Sequence, residues 1–126
     1  MTQRNLRIMV IDDENIVGKR LKPALEKTGD VVETFEDGKS ALARFDAEPF
    51  DIVVTDVRMD EMDGIEVLEQ ILARSSRTKV IIITGYATVE VAREALTKGA
   101  FDFIAKPFKP ADLRAIIERA ARELGP

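Results

Sequence analysis

The chain has 126 residues, 45% of them hydrophobic and 33% charged, which is the size and balance of one globular domain with a single core. Its 23 acidic residues outnumber the 19 basic ones for a formal net charge of -4, so it lacks the positive field that nonspecific nucleic-acid binding needs. It contains no cysteine and no histidine, which excludes disulfides, thiol nucleophiles, Cys/His zinc sites, histidine general bases and phosphohistidine on this chain and leaves carboxylates, hydroxyls and lysine for chemistry.

The first apolar run, Ile8 to Ile11, is rich in Val and Ile and too short for an independent helix, so it predicts a strand buried on both faces. A helical stripe follows at Val17, Leu21, Ala24 and Leu25, interrupted by Pro23, which removes a backbone donor and predicts a kink or a shortened helix. Val31 to Phe35 is a weaker strand, bounded by Gly29 and the Asp37-Gly38 pair, and Ala41, Leu42 and Phe45 mark a second helix. Ile52 to Val54 predicts a third strand. Asp63 with Glu66 three residues on predicts a capped start for a third helix, carrying Val67, Leu68, Ile71 and Leu72. Val80 to Ile83 is a fourth strand, and Val89, Ala92 and Leu96 mark a fourth helix closed by Gly99. Phe101 to Ile104 is a weaker fifth strand, followed by a helix with Leu113, Ile116, Ile117, Ala120 and Leu124.

Five strands alternating with five helices predict an α/β fold, a doubly wound parallel sheet covered on both faces by right-handed crossovers. The pattern predicts a single domain over 1–126 with its core at about 6–124. The longest apolar runs span four or five residues, far short of the roughly 20 of a membrane span, and Met1 to Asn5 leads into no secretory segment of sufficient length. The expected location is therefore the cytoplasm, with neither membrane nor nucleic acid as a direct partner.

In open parallel sheets the ligand crevice lies beyond the carboxyl ends of the strands. The residues just past the strong strands are Asp12 and Asp13, Asp56 and Thr84, with Lys106-Pro107 past the fifth. If the first and third strands are neighbours, the three acids converge, and two carboxylates about 4 Å apart repel by roughly 4 kcal/mol at an effective dielectric near 20. Hard oxygen ligands without His or Cys suit Mg²⁺, with Mn²⁺ as an alternative. Lys106 adds a positive charge and Thr84 a hydroxyl donor, an arrangement suited to holding a phosphoryl group that a central carboxylate, Asp56, could accept covalently. Taken singly, each of these residues reads as an ordinary turn acid, strand-end residue or surface lysine, and Asp12 and Asp13 as acids favoured at a helix N-terminus. Their joint placement is what points to chemistry.

Five strings in this order, Val10-Ile11-Asp12-Asp13-Glu14, Val54-Thr55-Asp56-Val57-Arg58-Met59, Met62-Asp63-Gly64, Ile83-Thr84-Gly85-Tyr86-Ala87 and Ala105-Lys106-Pro107-Phe108, resemble the receiver domain of two-component response regulators. The resemblance runs from about Leu6 to Leu124 and is nearest in pattern to receivers of enhancer-binding transcription activators. It implies a flavodoxin-like (βα)5 fold with strand order 2-1-3-4-5. It implies a phosphorelay protein, not a conventional enzyme, whose Asp56 takes a phosphoryl group from a sensor histidine kinase, a phosphotransfer protein or acetyl phosphate.

By the same resemblance, Asp13, Asp56 and the main-chain carbonyl of Arg58 would hold Mg²⁺, Asp12 would reach it through water, and Lys106, before a cis peptide, would contact the phosphate. Thr84 and Phe103 would act as the switch, changing the face at about 87–124 that an output domain or protein partner reads, and a homodimer through the fourth helix, fifth strand and fifth helix is a further expectation. Arg58 and Tyr86 stand where the family tunes phosphoryl lifetime. Asp60 departs from the proline common after that Met and puts the rigidity of the loop in question. A Mg²⁺-dependent phosphohydrolase is the competing enzyme reading, but Arg58 stands where haloacid-dehalogenase-like enzymes have a second acid. A constitutive interaction domain is the third reading. A flavodoxin-like cofactor role fits poorly, since the first loop is acidic where a phosphate needs glycine and backbone N–H groups.

Overall fold

The computed structural model describes residues 5–59, 62–85 and 89–125. Strands and helices alternate along the chain as β1 (Arg7–Ile11), α1 (Asn15–Glu26), β2 (Val31–Phe35), α2 (Gly38–Ala47), β3 (Ile52–Asp56), α3 (Gly64–Arg74), β4 (Lys79–Thr84), α4 (Val89–Thr97), β5 (Asp102–Ala105) and α5 (Pro110–Leu124). All strands are parallel in one sheet ordered β2-β1-β3-β4-β5.

The two-residue period of a strand sorts the core into two layers. Ile8, Val10, Ile52, Val54, Ile81 and Ile83 face Leu21 and Leu25 of α1 and Leu113, Ile116 and Ile117 of α5. Met9, Ile11, Val53, Val80 and Ile82 face Phe45 of α2, Val67, Leu68 and Ile71 of α3 and Ala95 of α4. The central strands β1, β3 and β4 are therefore apolar on both faces, while β2 and β5, at the edges, are only partly buried.

Local signals fix several boundaries. Asp37 caps α2 by accepting the Ser40 N–H at 2.7 Å, and Asp63 caps α3 by accepting the Glu66 N–H at 2.9 Å. Gly29 and Gly99 hold φ of 89° and 105°, the left-handed region that ends α1 and α4.

Two outcomes differ from the simplest expectation. Of the two alternatives at Pro23, a kink or a shortened helix, the shortening is not found: α1 runs the full span from Asn15 to Glu26. Pro23 and Lys19, whose carbonyl would have received the missing donor, are both exposed, so water can satisfy that carbonyl and the cost stays low. In α4 the apolar stripe is displaced, since Leu96 is 47% exposed and Ala95 is fully buried in its place. A small residue brings this helix close to the sheet, and the larger neighbour is left on the rim.

Candidate functional site

The register of the central strands builds the site. The pair Val10 and Val54 faces α1 and α5 across β1 and β3, and the next positions of the same parity are Asp12 and Asp56. Lys106 follows Ile104 of β5 by the same two residues. From ends 50 and 94 residues away in sequence, the Lys106 ammonium donates to Asp56 Oδ2 at 3.1 Å and to Asp12 Oδ2 at 3.0 Å. Asp12 and Asp56 are 2% and 5% exposed, so this bridge spans two carboxylates almost entirely withdrawn from water.

Backbone donors complete the arrangement. Asp12 Oδ1 accepts the Glu14 N–H at 2.9 Å, and Asp56 Oδ1 accepts the Arg58 N–H at 3.3 Å. Burial pushes the Asp12 carboxyl above its ordinary range, and the hydrogen bonds from Glu14 and Lys106 offset this only in part. Burial alone would depress Lys106, but its hydrogen bonds to Asp12 and Asp56 outweigh that effect and hold it above the usual lysine value. Both members of the pair rise because Asp12 is much the more enclosed of the two, and the direction that matters for chemistry is that Lys106 stays protonated.

A fourth acid joins the set, with Glu14 Oε1 3.5 Å from the same ammonium. Ligand atoms of Asp12, Asp13, Glu14 and Asp56 all lie within 4.8 Å of one another. One ammonium thus meets three carboxylates and cannot neutralise them. These oxygens lie close enough together for one Mg²⁺ to draw on one or two of the carboxylates and keep waters in its other positions. The donors are hard oxygens with no competing sulfur or imidazole, so the residues fit Mg²⁺.

Asp13 is exposed at the mouth of an open hollow of about 810 Å³ bounded by Asp37, Lys39, Met59 and Met62, which gives the acidic edge access to solvent. Thr84 ends β4 with 1% exposure, and its carbonyl accepts the Lys106 N–H at 2.8 Å. Phe103 is half-buried against the layer of α2, α3 and α4, the opposite side of β5 from Ile104. The Lys106-Pro107 peptide is cis, as expected. Arg58 is exposed just past β3. Tyr86 and Asp60 lie outside the described residues.

Two positions had no role in the sequence reading. Glu14 was visible only as the third acid of a run. Gly64 was visible only within the Met62-Asp63-Gly64 string, yet a Cβ there would stand 2.2 Å from the Asp56 carbonyl oxygen, and its N–H donates to the Val57 carbonyl at 2.8 Å. The available signal was its place just after the cap residue Asp63, where the chain must return to the end of β3.

Comparison with known proteins accounts for this arrangement. Residues 8–118 match the model of the response regulator receiver domain. Regulatory protein AtoC of Escherichia coli K12 is 44% identical over 115 residues, covering 90% of this chain but 25% of that protein, so the chain spans about a quarter of the length of this relative. Among solved structures, a CheY-like receiver domain protein from Methanospirillum hungatei aligns with a TM-score of 0.91 at 31% identity, over 96% of this chain and 97% of its own. CheY in the CheX-CheY-BeF3-Mg²⁺ complex of Borrelia burgdorferi aligns with a TM-score of 0.86 at 27% identity, over 92% and 89%. The sheet order, the acids at the ends of β1 and β3 and the lysine beyond β5 thus have a common explanation, and the chain belongs to the response regulator receiver domain family.

Proposed function

We propose that residues 1–126 act as one receiver domain, with its core at about 6–124, that takes a phosphoryl group on Asp56. Receiver domains are not conventional enzymes, because the group they transfer ends on their own aspartate. A carboxylate oxygen of Asp56 forms the new O–P bond while the P–N bond of a partner's phosphohistidine, or the P–O bond of acetyl phosphate, breaks; the leaving group departs as imidazole after taking a proton, or as acetate. Lys106 is held beside that oxygen to pair with the incoming phosphoryl charge, and Thr84 offers a hydroxyl donor from the end of β4. The observation that carries the reading is the bridge from Lys106 to Asp12 and Asp56, which joins three distant strand ends around two buried carboxylates.

Asp13, Asp56 and the Arg58 carbonyl are the proposed ligands for Mg²⁺, with Mn²⁺ as a substitute. Asp12 would act through water, in keeping with the engagement of both its oxygens by Glu14 and Lys106. Bound Mg²⁺ would neutralise charge on the phosphoryl oxygens. Thr84 and Phe103 are the proposed switch, the face from 87 to 124 the proposed output or homodimer surface, and Arg58 and Tyr86 the proposed tuners of lifetime. A sensor histidine kinase or phosphotransfer protein and a downstream domain or protein are the proposed partners, and the cytoplasm the proposed location of this chain; among the described residues no helix is long and apolar enough to cross a membrane.

The test is intact mass after incubation with acetyl phosphate and Mg²⁺. The wild type gains one phosphoryl mass, and Asp56→Asn or excess EDTA abolishes the gain. Equal labelling of Asp56→Asn would refute the assignment.

A further inference from the structure

We propose that Glu14 sets which phosphoryl donors this site prefers, by standing as a fixed negative charge beside the acceptor that disfavours donors of higher charge. The inference rests on the reading of Asp56 as acceptor. Although the Glu14 side chain is 63% exposed, its ligand atom lies within 4.8 Å of that of Asp56, and Oε1 is 3.5 Å from the Lys106 ammonium. A phosphoryl group brought to Asp56 therefore comes within range of this carboxylate's charge.

The local structure leaves that charge available to the site. Glu14 is the N-cap of α1, with φ -91° and ψ 102°, a place where an acidic side chain usually accepts a helix N–H, yet it makes no such hydrogen bond. Its backbone is tied down independently: the N–H is given to Asp12 Oδ1 at 2.9 Å, and the carbonyl accepts the Val17 N–H at 3.0 Å. Lys106 does not cancel Glu14, because that single ammonium is shared with Asp12 and Asp56 at shorter distance. Replacing the carboxylate by an amide removes a charge at the acceptor without removing a cap.

At about 5 Å in solvent-like surroundings, with partial screening by salt, each additional negative charge on a donor is disfavoured two- to fourfold, on the order of what Coulomb's law gives. Acetyl phosphate is a dianion at neutral pH and phosphoramidate a monoanion, so the two donors differ by the charge that Glu14 reads. Phosphorylation rates of the full chain are measured with each donor at saturating Mg²⁺ for wild type, Glu14→Gln and Glu14→Asp, with thermal unfolding as the check on folding. In Glu14→Gln the ratio of the acetyl phosphate rate to the phosphoramidate rate rises about two- to fourfold at low salt and falls back toward the wild-type ratio near about 0.5 M salt. Glu14→Asp, which keeps the charge, stays near wild type. An unchanged ratio in Glu14→Gln, or a change that salt leaves undiminished, overturns the proposal. A wild type that takes up no phosphoryl group from either donor overturns the reading of Asp56 and this inference with it.

Discussion

Gly64 ties the acceptor to the fold, and Gly64→Ala puts a number on that tie. The added Cβ would lie 2.2 Å from the Asp56 carbonyl oxygen, 2.8 Å from Val57 Cα and 2.9 Å from the Asp56 carbonyl carbon, all of them backbone atoms that no rotamer change can move. An ordinary carbon-oxygen contact is about 3.2 Å, so the first turn of α3 and the end of β3 must separate by about 1 Å, which places the cost near the upper end of overpacking, about 3 kcal/mol. Alanine's helix preference returns less than about 1 kcal/mol at a first helical position, leaving a net loss of about 2–3 kcal/mol and a fall in Tm of about 8–12 °C for a domain of this size. Because the displaced atoms belong to Asp56, the proposed acceptor, phosphorylation by acetyl phosphate should slow by at least about tenfold as the carboxylate leaves its position. Gly85→Ala is the control, since a Cβ there meets nothing within 4 Å, and it should change stability by less than about 0.5 kcal/mol. Thermal unfolding followed by circular dichroism and a phosphorylation time course read the two effects. A Gly64→Ala protein that melts within about 2 °C of wild type and labels at the wild-type rate would refute the reasoning.

Two further outcomes follow from single contacts. Asp63→Ala removes the acceptor for the Glu66 N–H at the start of α3 and should cost about 1 kcal/mol, measurable as a lowered urea midpoint with an unchanged m-value. Glu33 receives Arg44 through Nε at 2.8 Å and Nη2 at 3.0 Å, and the hydrogen bond from Arg44 holds its carboxyl below the ordinary 4.5. A depressed folded-state value means that its stabilising contribution is fully present above about pH 4.5 and is lost as pH falls through the lower folded value. The difference in Tm between wild type and Glu33→Gln should therefore be constant at neutral pH and shrink in acid; a difference that grows on acidification would contradict the ion pair's role.

The parallel sheet was legible because β1, β3 and β4 are buried on both faces, and burial on both faces leaves an uninterrupted run of Val and Ile in the sequence. The same logic made Asp12, Asp56 and Lys106 legible, since strong strands have definite ends and the ends of parallel strands share an edge. The face of α4 was not legible, because Leu96 and Ala95 differ by one position and apolar character alone favours the larger residue, whereas the close approach of helix to sheet selects the smaller. That α1 runs on past Pro23 was hidden for a related reason. The cost of proline in a helix depends on whether the orphaned carbonyl meets water, and a propensity carries no information on which face points outward. Gly64 and Glu14 act through contacts across loops, the Gly64 N–H to the Val57 carbonyl at 2.8 Å and Glu14 Oε1 to the Lys106 ammonium at 3.5 Å, which have no periodic signature.

The division between central and edge strands also bears on how the site can work. An acceptor that must be phosphorylated in a fixed orientation should not move, and Asp56, the proposed acceptor, ends a strand whose five residues are all buried between two others. The charge proposed to answer the phosphoryl group would need the opposite property, because its partners would change once Asp56 is phosphorylated. Lys106 follows β5, an edge strand of four half-buried residues, and shares its ammonium among three carboxylates instead of being locked to one. Displacing β1 or β3 would disturb both layers of the core, whereas β5 pairs with one neighbour and packs less deeply. Phe103 lies on the opposite side of that strand from Ile104, toward the layer of α2, α3 and α4, and is carried by the same four residues. The fold thus puts its rigidity under the proposed acceptor and its latitude under the proposed counter-charge, the distribution a reversible phosphoryl site would require.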